Sequence, residues 1–293
     1  MHLSEKVPKI MEKIHMLREI PALPIIAQEI LSIANNADID EFACVIEKDP
    51  GLSARLIGLA NSAYFGWPGG VHSIYDAIYK VLGLKLVKSL SIGIVLNKLL
   101  ETKSCRGFRP EQYWFTAFST AIMAQSLFPH LPSFQKKNID TIYINGLLHN
   151  LGIAVLVHLC PQEMEEVFLK VKREDCSVTT CIKETLGIDQ NQAGAWLGRR
   201  WGLPLDIVLV IEHHKDPGYQ QDYWPIVQIA GYCARQAGNL FFGKETFLES
   251  KQLGMLGIPE AVVDVTRQAI ERQMEDIKAL ASQMANGEAQ HGQ

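Results

Sequence analysis

The segment GLLHNLG, residues 146–152, holds the side chains in this sequence that come closest to a metal site. His149 stands inside an apolar run and is followed by Asn150. An aspartate at position 150 would place a nitrogen and an oxygen ligand side by side, a combination that suits transition metals. The asparagine instead offers a neutral amide, which is a poor ligand for such a metal. The segment is therefore either a catalytic site or the remains of one.

Two adjacent histidines, His213 and His214, are the other candidate ligands. Neighbouring residues on a helix point about 100° apart, so at most one of the two faces the inside of a bundle. Together with His149 they supply two nitrogen ligands and no carboxylate of predictable position, whereas transition-metal sites use three or four protein ligands. His158 is predicted to face away from His149 on a straight helix. We expect no catalytic residue, no metal and no cofactor.

The same polar residues have interpretations that require no function. His149 and Asn150 would form a buried pair that bonds to backbone carbonyls, as buried polar groups generally do. His213 and His214 lie near the end of a predicted helix, where the negative end of the dipole favours histidine. The residue types alone leave both interpretations open.

Composition narrows the class of protein. The 293 residues are 47% hydrophobic and 20% charged, with a net charge of −4 and no basic stripe, which argues against nucleic acid as a partner. The first 20 residues mix charges and lack the apolar core of a signal peptide. The longest apolar runs fall short of the roughly 20 residues that span a bilayer. Six scattered cysteines contain no C-x-x-C pair, so we predict mostly reduced thiols in a cytoplasmic protein without membrane contact.

Hydrophobic spacing is helical almost everywhere, and no segment alternates with period two over the length of a strand. Asp49 and Pro50 have the types expected at the N-cap and first position of a helix. Longer helices are predicted at about 110–128, 139–159, 188–200 and 221–241. The sequence therefore predicts an all-α fold, a multi-helix bundle.

Two polar segments divide the chain. The break at 101–110 separates an N-terminal helical lobe, 1–104, from a helical bundle, 105–215, and a softer break at 215–225 introduces C-terminal helices, 216–284. Residues 285–293 are predicted to be a disordered tail. A single helix at 259–284 carries an apolar stripe, which either packs on its own domain or forms the seam of a homodimer.

An aromatic corner at residues 60–70 is the candidate surface for a partner. Its residues Asn61, Tyr64, Phe65 and Trp67 stand among small residues and three glycines. Aromatic packing could simply pin a tight turn here. Alternatively, aromatics beside glycines make good contact residues for a protein or a small ligand.

Several blocks in order give the chain a specific resemblance. DPGLSARL followed by LANSAYFG, and later INGLLHNLGIAVL and the segment ending in IEHH, resemble the HDOD domain over residues 20–214. That family is related in fold to the HD metal-dependent phosphohydrolases. The resemblance implies an all-helical, HD-like orthogonal bundle with a role in bacterial signalling, and its members are generally regarded as lacking catalysis.

The resemblance also indicates where HD-type metal ligands would lie. The first histidine is replaced by Thr116, the His-Asp pair becomes His149 and Asn150, a further histidine is replaced by Gln190, and the late aspartate is replaced by Gly231. Four ligand positions are thus lost, three to neutral polar side chains and one to glycine. We interpret these positions as a vestigial site.

The favoured hypothesis is a non-catalytic regulatory protein that acts by binding a protein partner or a small ligand. No receiver, cyclase or kinase segment accompanies the resemblance. One alternative is a metal-dependent phosphohydrolase rebuilt around His149 and either His213 or His214. A second alternative is a sensor of nucleotides or cyclic dinucleotides. No G-x-S-x-G motif and no pairing of a cysteine with a histidine favours other hydrolytic chemistry.

Overall fold

A computed structural model describes residues 22–33, 37–100, 102, 104–132, 141–174, 176–239 and 251–286. These residues form helices and turns with no strand among them, which confirms the all-α prediction. The predicted tail lies outside the described residues from position 287 onward, while residues 285 and 286 end the last helix.

The helices fall into an N-terminal, a central and a C-terminal group. The N-terminal group is α1 (Ile25–Ser32), α2 (Ile39–Glu47), α3 (Pro50–Ala60), α4 (Ile74–Asp76, continued by a π-helical segment Ala77–Leu82) and α5 (Leu84–Leu99). The central group is α6 (Pro110–Leu127), α7 (Ile142–Leu148), α8 (Leu151–Leu159), α9 (Pro161–Glu174), α10 (Val178–Leu186), α11 (Gln190–Arg200) and α12 (Leu205–His213). The C-terminal group is α13 (Trp224–Asn239), α14 (Lys251–Met255), α15 (Glu260–Arg272) and α16 (Met274–Asn286).

Helix α6 is the central element of the fold. From Trp114 to Ala121 every one of its side chains is buried, so it lacks a solvent face. It packs against α7, α13, α15 and α16, and those four neighbours account for burial on all sides. The threonines of this stretch, Thr116 and Thr120, are compatible with the core because each hydroxyl donates to a carbonyl of the same helix.

The N-terminal lobe carries the helix ends that the sequence predicts. The Asp49 side chain accepts a hydrogen bond from the Leu52 amide at 3.0 Å, with Pro50 as the first residue of α3, which confirms that start. Ser73 likewise accepts from the Asp76 amide at 3.0 Å. Gly83, at a φ of 72°, ends the π-helical segment and begins α5.

The predicted helix at 139–159 was wrong as one continuous element. It is split into α7 and α8, with His149 and Asn150 between them. The two halves pack on different partners, α7 on α6 and α8 on α11, and a straight helix would not reach both. This interruption places the His-Asn pair at a corner of the backbone.

The predicted helix at 259–284 is also two helices, α15 and α16, separated at Gln273. The break allows both amphipathic segments to lay their apolar faces on α6. Six of the seven members of the stripe are buried within the chain: Val263, Thr266, Ile270, Ile277, Leu280 and Met284. The seventh, Met274, is partly buried against the same core. The stripe therefore packs on its own domain, and a homodimer through 259–284 would have to use the outer faces of these helices.

Hydrogen bonds to one carbonyl fasten the last helix to the N-terminal lobe. The Met284 carbonyl accepts from Arg55 Nη2 at 2.7 Å and from Asn97 Nδ2 at 3.0 Å. Trp114 Nε1 donates to Asn97 Oδ1 at 3.2 Å. Since α3, α5, α6 and α16 meet here, one continuous core joins the three predicted segments of the chain.

The segment 142–159 is apolar and long enough to cross a membrane by length and composition. In the folded chain 78% of it is buried, as in a core helix of a soluble protein.

Close approach between α8 and α11 depends on glycine. A Cβ at Gly152 would lie 1.7 Å from the Gln190 carbonyl oxygen, and one at Gly194 would lie 2.7 Å from the Gly152 nitrogen. No side-chain adjustment relieves a clash with backbone atoms. The two helices cross at this spacing only because both positions lack a side chain.

We therefore predict that Gly152→Ala lowers the free energy of unfolding by about 3 kcal/mol or more, since the helices must separate. Gly58→Ala is the matched control, because position 58 is helical and its Cβ would meet nothing within 4 Å. Alanine there should be neutral or stabilise by about 0.5–1 kcal/mol. Urea denaturation measures both variants. Equal effects of the two substitutions would contradict the assigned crossing.

Candidate functional site

Two buried imidazoles form the centre of the candidate site. His149 is 1% exposed and His214 is 2% exposed, and their ring centres are 5.2 Å apart at nearly a right angle. His149 Nδ1 lies 2.7 Å from the Gly146 carbonyl, and His214 Nδ1 lies 3.0 Å from the Val210 carbonyl. Each Nδ1 must therefore carry a proton to donate, which leaves the lone pair of a neutral ring on Nε2.

Burial lowers the pKa of His214 well below its usual 6.5, and the neighbouring His149 and Lys215 lower it further. Hydrogen bonds to the carbonyls of Val210 and Ile211 oppose this effect without cancelling it. His214 is therefore neutral at physiological pH, and its Nε2 is buried without a hydrogen bond among the described residues.

A hydrogen-bonded network lies beside the imidazoles. Thr179 Oγ1, on α10, accepts from Gln190 Nε2 at 2.7 Å and from Lys215 Nζ at 3.0 Å. Gln190 is 1% exposed, and its Oε1 is buried with no hydrogen bond in the described part of the chain. Gln190, at a position where the resemblance expects a metal ligand, is thus linked to the Lys215 ammonium by the Thr179 hydroxyl, which accepts from both.

The local sequence explains why Gln190 points into this network. Asp189 caps α11 by accepting from the Gln192 amide at 2.9 Å, and Gln192 Oε1 accepts in return from the Asp189 amide at 3.1 Å. This capping box fixes the first turn of α11. The crossing at Gly152 then holds that turn against α8.

Gly231 lies behind His214. A Cβ at position 231 would be 2.1 Å from the His214 carbonyl oxygen, so α13 approaches α12 with no room for a side chain. An aspartate could not be accommodated here without separating the two helices. The resemblance sets this glycine in place of an aspartate, and the same glycine allows the two backbones to pack closely.

The remaining vestigial positions are not joined into this network by any hydrogen bond found among the described residues. Thr116 is buried, and its hydroxyl donates to the Gln112 carbonyl of its own helix at 2.9 Å. Asn150 is half-buried between α7 and α8, and its Oδ1 is buried without a hydrogen bond. Its amide therefore does not take the place of a carboxylate ligand.

The structure separates the two adjacent histidines. His214 faces the bundle, whereas His213 is half-exposed and stacks on Tyr219 with ring centres 4.3 Å apart. His213 Nε2 lies 3.5 Å from the Glu212 carboxylate, which also pairs with Arg199. His158 lies partly buried near the end of α8.

The donor set does not fit the metal centre of an HD phosphohydrolase. Within the described ranges, no group of three or more His, Cys, Asp and Glu side chains is arranged to hold an ion. Two imidazoles remain. Of the two acids that lie two positions from His214 along the chain, Glu212 is engaged with Arg199 and His213, and Asp216 Oδ1 accepts from the Gly218 amide. A phosphohydrolase needs carboxylates and imidazoles converging on its metal, and this set offers no such arrangement.

The aromatic corner forms a separate surface. The Asn61 side chain is engaged in two hydrogen bonds with the Val71 backbone. Its Nδ2 donates to the Val71 carbonyl, and its Oδ1 accepts from the Val71 amide. Tyr64 and Phe65 meet edge to face, with ring centres 4.9 Å apart. Trp67 is 43% exposed. Two of the four predicted contact residues, Tyr64 and Phe65, also line a groove.

That groove has a volume of about 600 Å³ and is lined by residues of both the N-terminal lobe and the central bundle. Its lining combines aromatic, apolar and polar side chains: Tyr64, Phe65, Leu82, Leu84, Lys85, Leu86, Gln125 and Tyr143, with Gly83. Burial raises the pKa of both Tyr64 and Tyr143, so both phenols are neutral at physiological pH.

Sequence reasoning missed Thr179 and Lys215. Lys215 directly follows the two histidines, and that adjacency was a usable signal. Thr179 carries no local signal, because only the tertiary fold brings α10 to Gln190. A buried carboxylate was also missed: Asp206, at the start of α12, accepts hydrogen bonds from Asn145 and Thr141.

Comparison with known proteins identifies relatives of this chain. The sequence model of the HDOD domain matches residues 20–217. An uncharacterized protein of Treponema pallidum (strain Nichols) is 27% identical over 220 residues, which are 73% of this chain and 41% of that protein. The chain therefore spans about two-fifths of the length of this relative.

Solved structures share the fold. A proposed signal transduction protein of Marinobacter aquaeolei VT8 superposes with a TM-score of 0.82 at 25% identity, over 97% of this chain and 67% of that one. A proposed phosphohydrolase of Shewanella amazonensis SB2B superposes with a TM-score of 0.72 at 21% identity, over 93% of this chain and 97% of that one.

The neutral, buried His214 makes stability depend on pH. The unfolded chain takes up the proton near pH 6.5, while the folded pKa lies well below that value. The contribution of His214 to the free energy of unfolding is therefore complete above pH 6.5. It falls as the pH drops toward the folded pKa, by up to about 1.4 kcal/mol per pH unit. His214→Gln should reduce this slope, and Gly58→Ala, which removes no titratable group, should leave it unchanged. Urea denaturation from pH 7.5 to 5.5 measures the slopes; identical slopes in all three proteins would refute the assignment.

Proposed function

The chain belongs to the HDOD domain family, and we propose that it is a non-catalytic regulator that transmits a signal by binding another protein in the cytoplasm. The observation that carries this proposal concerns the positions where the resemblance expects metal ligands: one is hydrogen-bonded to another side chain and another has no side chain. Gln190 is hydrogen-bonded to Thr179, which also accepts from Lys215. Gly231 leaves no room for a carboxylate beside His214. A site in which hydrogen bonds and packing have replaced metal ligands supports binding and scaffolding rather than hydrolysis.

The presence of Lys215 strengthens this argument. Its charge lowers the pKa of His214, so the ammonium acts electrostatically on the buried imidazole. A divalent cation bound at His214 would be repelled by that ammonium and would find no compensating carboxylate. The Lys215 ammonium thus disfavours binding of the divalent metal ion that an HD phosphohydrolase requires.

The aromatic corner is the surface that best suits a protein partner. Trp67 is exposed at 43% beside Tyr64 and Phe65, and Trp and Tyr are the residue types most enriched among energetically dominant contacts. Asn61 and its bonds to Val71 hold the corner in a fixed shape. A rigid aromatic surface loses little entropy on binding.

We expect Trp67→Ala to reduce capture of the partner from an extract of the native organism by roughly tenfold, because an aromatic anchor carries a large share of binding energy. Leu205→Ala is the matched control, since Leu205 is 54% exposed and belongs to α12. Quantitative mass spectrometry of proteins retained by wild type and both variants gives the result. A set of retained proteins that Trp67→Ala leaves unchanged counts against this surface.

The enzymatic alternative takes its support from the Shewanella amazonensis neighbour that is described as a proposed phosphohydrolase. It would require carboxylates from positions that the described fold does not bring to His149 and His214. We therefore predict no hydrolysis of nucleotides or generic phosphoesters above background with Mn, Fe, Mg or Zn present. Hydrolysis by wild type that is lost in His149→Ala would establish the enzyme and remove the proposal.

A second candidate, a sensor of nucleotides or cyclic dinucleotides, is favoured by the groove at Tyr64. Its volume of about 600 Å³ falls in the range of small-molecule sites, and its aromatic walls suit a planar base. Isothermal titration with nucleotides and cyclic dinucleotides tests this candidate. Saturable heat that Tyr64→Ala abolishes would support it, and the absence of heat would dismiss it.

A further inference from the structure

One pair of cysteines departs from the predicted reduced state. Cys176 and Cys181 form a disulfide, with Cα atoms 6.5 Å apart and a sequence separation of five. The other four cysteines form no disulfide. Cys176 immediately precedes Ser177, the N-cap of α10, and Cys181 lies in the first half of that helix. The bond therefore closes a small loop around the beginning of α10.

This loop contains a residue of the candidate site. Thr179 lies inside the loop, and its hydroxyl accepts from both Gln190 Nε2 and Lys215 Nζ. The first turn of α10 is otherwise fixed by Ser177, whose side chain accepts from the Thr180 amide at 3.1 Å. The disulfide and the cap together determine where the Thr179 hydroxyl stands relative to α11 and α12.

The two sulfurs differ in access. Cys181 is fully buried, whereas Cys176 is partly exposed. An attacking thiolate reaches Cys176 more easily, with Cys181 as the leaving group. Disulfides in reducing compartments are typically transient and redox-sensing, and this pair has the unequal access that suits reversible exchange.

We propose that Cys176 and Cys181 are a thiol–disulfide switch that controls the position of Thr179 and, through it, the network of Gln190 and Lys215. The co-reactant is a low-molecular-weight thiol. Its thiolate attacks Cys176 Sγ, the bond between the two protein sulfurs breaks, and Cys181 leaves as a thiolate that takes up a proton. A second thiolate then resolves the mixed disulfide, so that two thiols become one small disulfide and the protein gains a dithiol. The reverse sequence restores the bond.

The switch acts on the corner of the fold where α10, α11 and α12 meet. In the oxidised form the closed loop holds Thr179 against Gln190 and Lys215. In the reduced form the start of α10 has only its Ser177 cap, so Thr179 is released more often and its hydrogen bond with Lys215 is broken more often. The regulatory meaning of this change rests on the proposed function, but the structural coupling itself does not.

The test uses the whole chain and hydrogen exchange. Mass spectrometry after alkylation first counts free thiols in mixtures of reduced and oxidised glutathione, where a reversible loss of two of the six thiols is expected. Peptide-resolved amide exchange is then compared between oxidised and reduced protein. Reduction should speed exchange roughly tenfold at 178–186, as expected when a cross-link is lost, and several-fold at 212–216.

Two variants test whether the change at 212–216 is transmitted through Thr179 or reflects a general destabilisation of the reduced protein. Thr179→Val removes the shared acceptor, so reduction should still speed exchange at 178–186 but no longer at 212–216. Cys44→Ser, at an exposed free cysteine, is the matched control and should respond like wild type. Failure to form the bond in any glutathione mixture would overturn the proposal. So would a reduction-dependent change at 212–216 that persists in Thr179→Val, or no change there in wild type.

These outcomes are independent of the proposed function, because none requires a partner. A chain that shows the exchange response but retains no partner would refute only the regulatory role. A chain that binds a partner through Trp67 but lacks the response would refute only the switch.

Discussion

The crossing of α8 and α11 at Gly152 and Gly194 is the constraint on which the candidate site depends. A Cβ at position 152 would lie 1.7 Å from the Gln190 carbonyl oxygen, so the two backbones touch directly. This contact fixes the first turn of α11 against α8 and directs Gln190 toward Thr179 and Lys215. Gly146 plays the same part toward α6, where a Cβ would lie 2.5 Å from Ala121 Cα. The glycines of GLLHNLG therefore position its histidine from both sides.

The chemistry at this corner is that of a hydrogen-bonded network of polar side chains. Two buried imidazoles direct their Nδ1 protons to carbonyls, a lysine ammonium donates to a threonine, and a glutamine occupies a position where the resemblance expects a ligand. Buried polar groups of this kind cost free energy unless they are bonded. Several acceptors, among them Gln190 Oε1 and Asn150 Oδ1, have no hydrogen bond within the described residues. Such acceptors are suited to ordered water or to donor groups of a ligand rather than to a phosphate anion.

The sequence predicted the all-α fold because helical spacing and caps such as Asp49 are local signals, and both follow from the chain alone. It did not predict the break at His149 and Asn150 or the break at Gln273, since both arise from packing on α6 and α11. The resemblance singled out His149, Gln190 and Gly231, and their interpretation as former ligand positions stays a prediction. The sequence did not predict the role of Thr179 or the disulfide between Cys176 and Cys181, because each depends on the position of α10 in the fold.

We propose that hydrogen bonds and packing stand in place of metal ligands at His149 and His214. Elemental analysis of untagged protein by plasma mass spectrometry, after growth with added Mn, Fe and Zn, tests it most directly. The account predicts less than about a tenth of an equivalent of any of these metals, because two imidazoles beside an ammonium are too few ligands. Close to one equivalent of metal, lost when His149 is replaced by alanine, would contradict it.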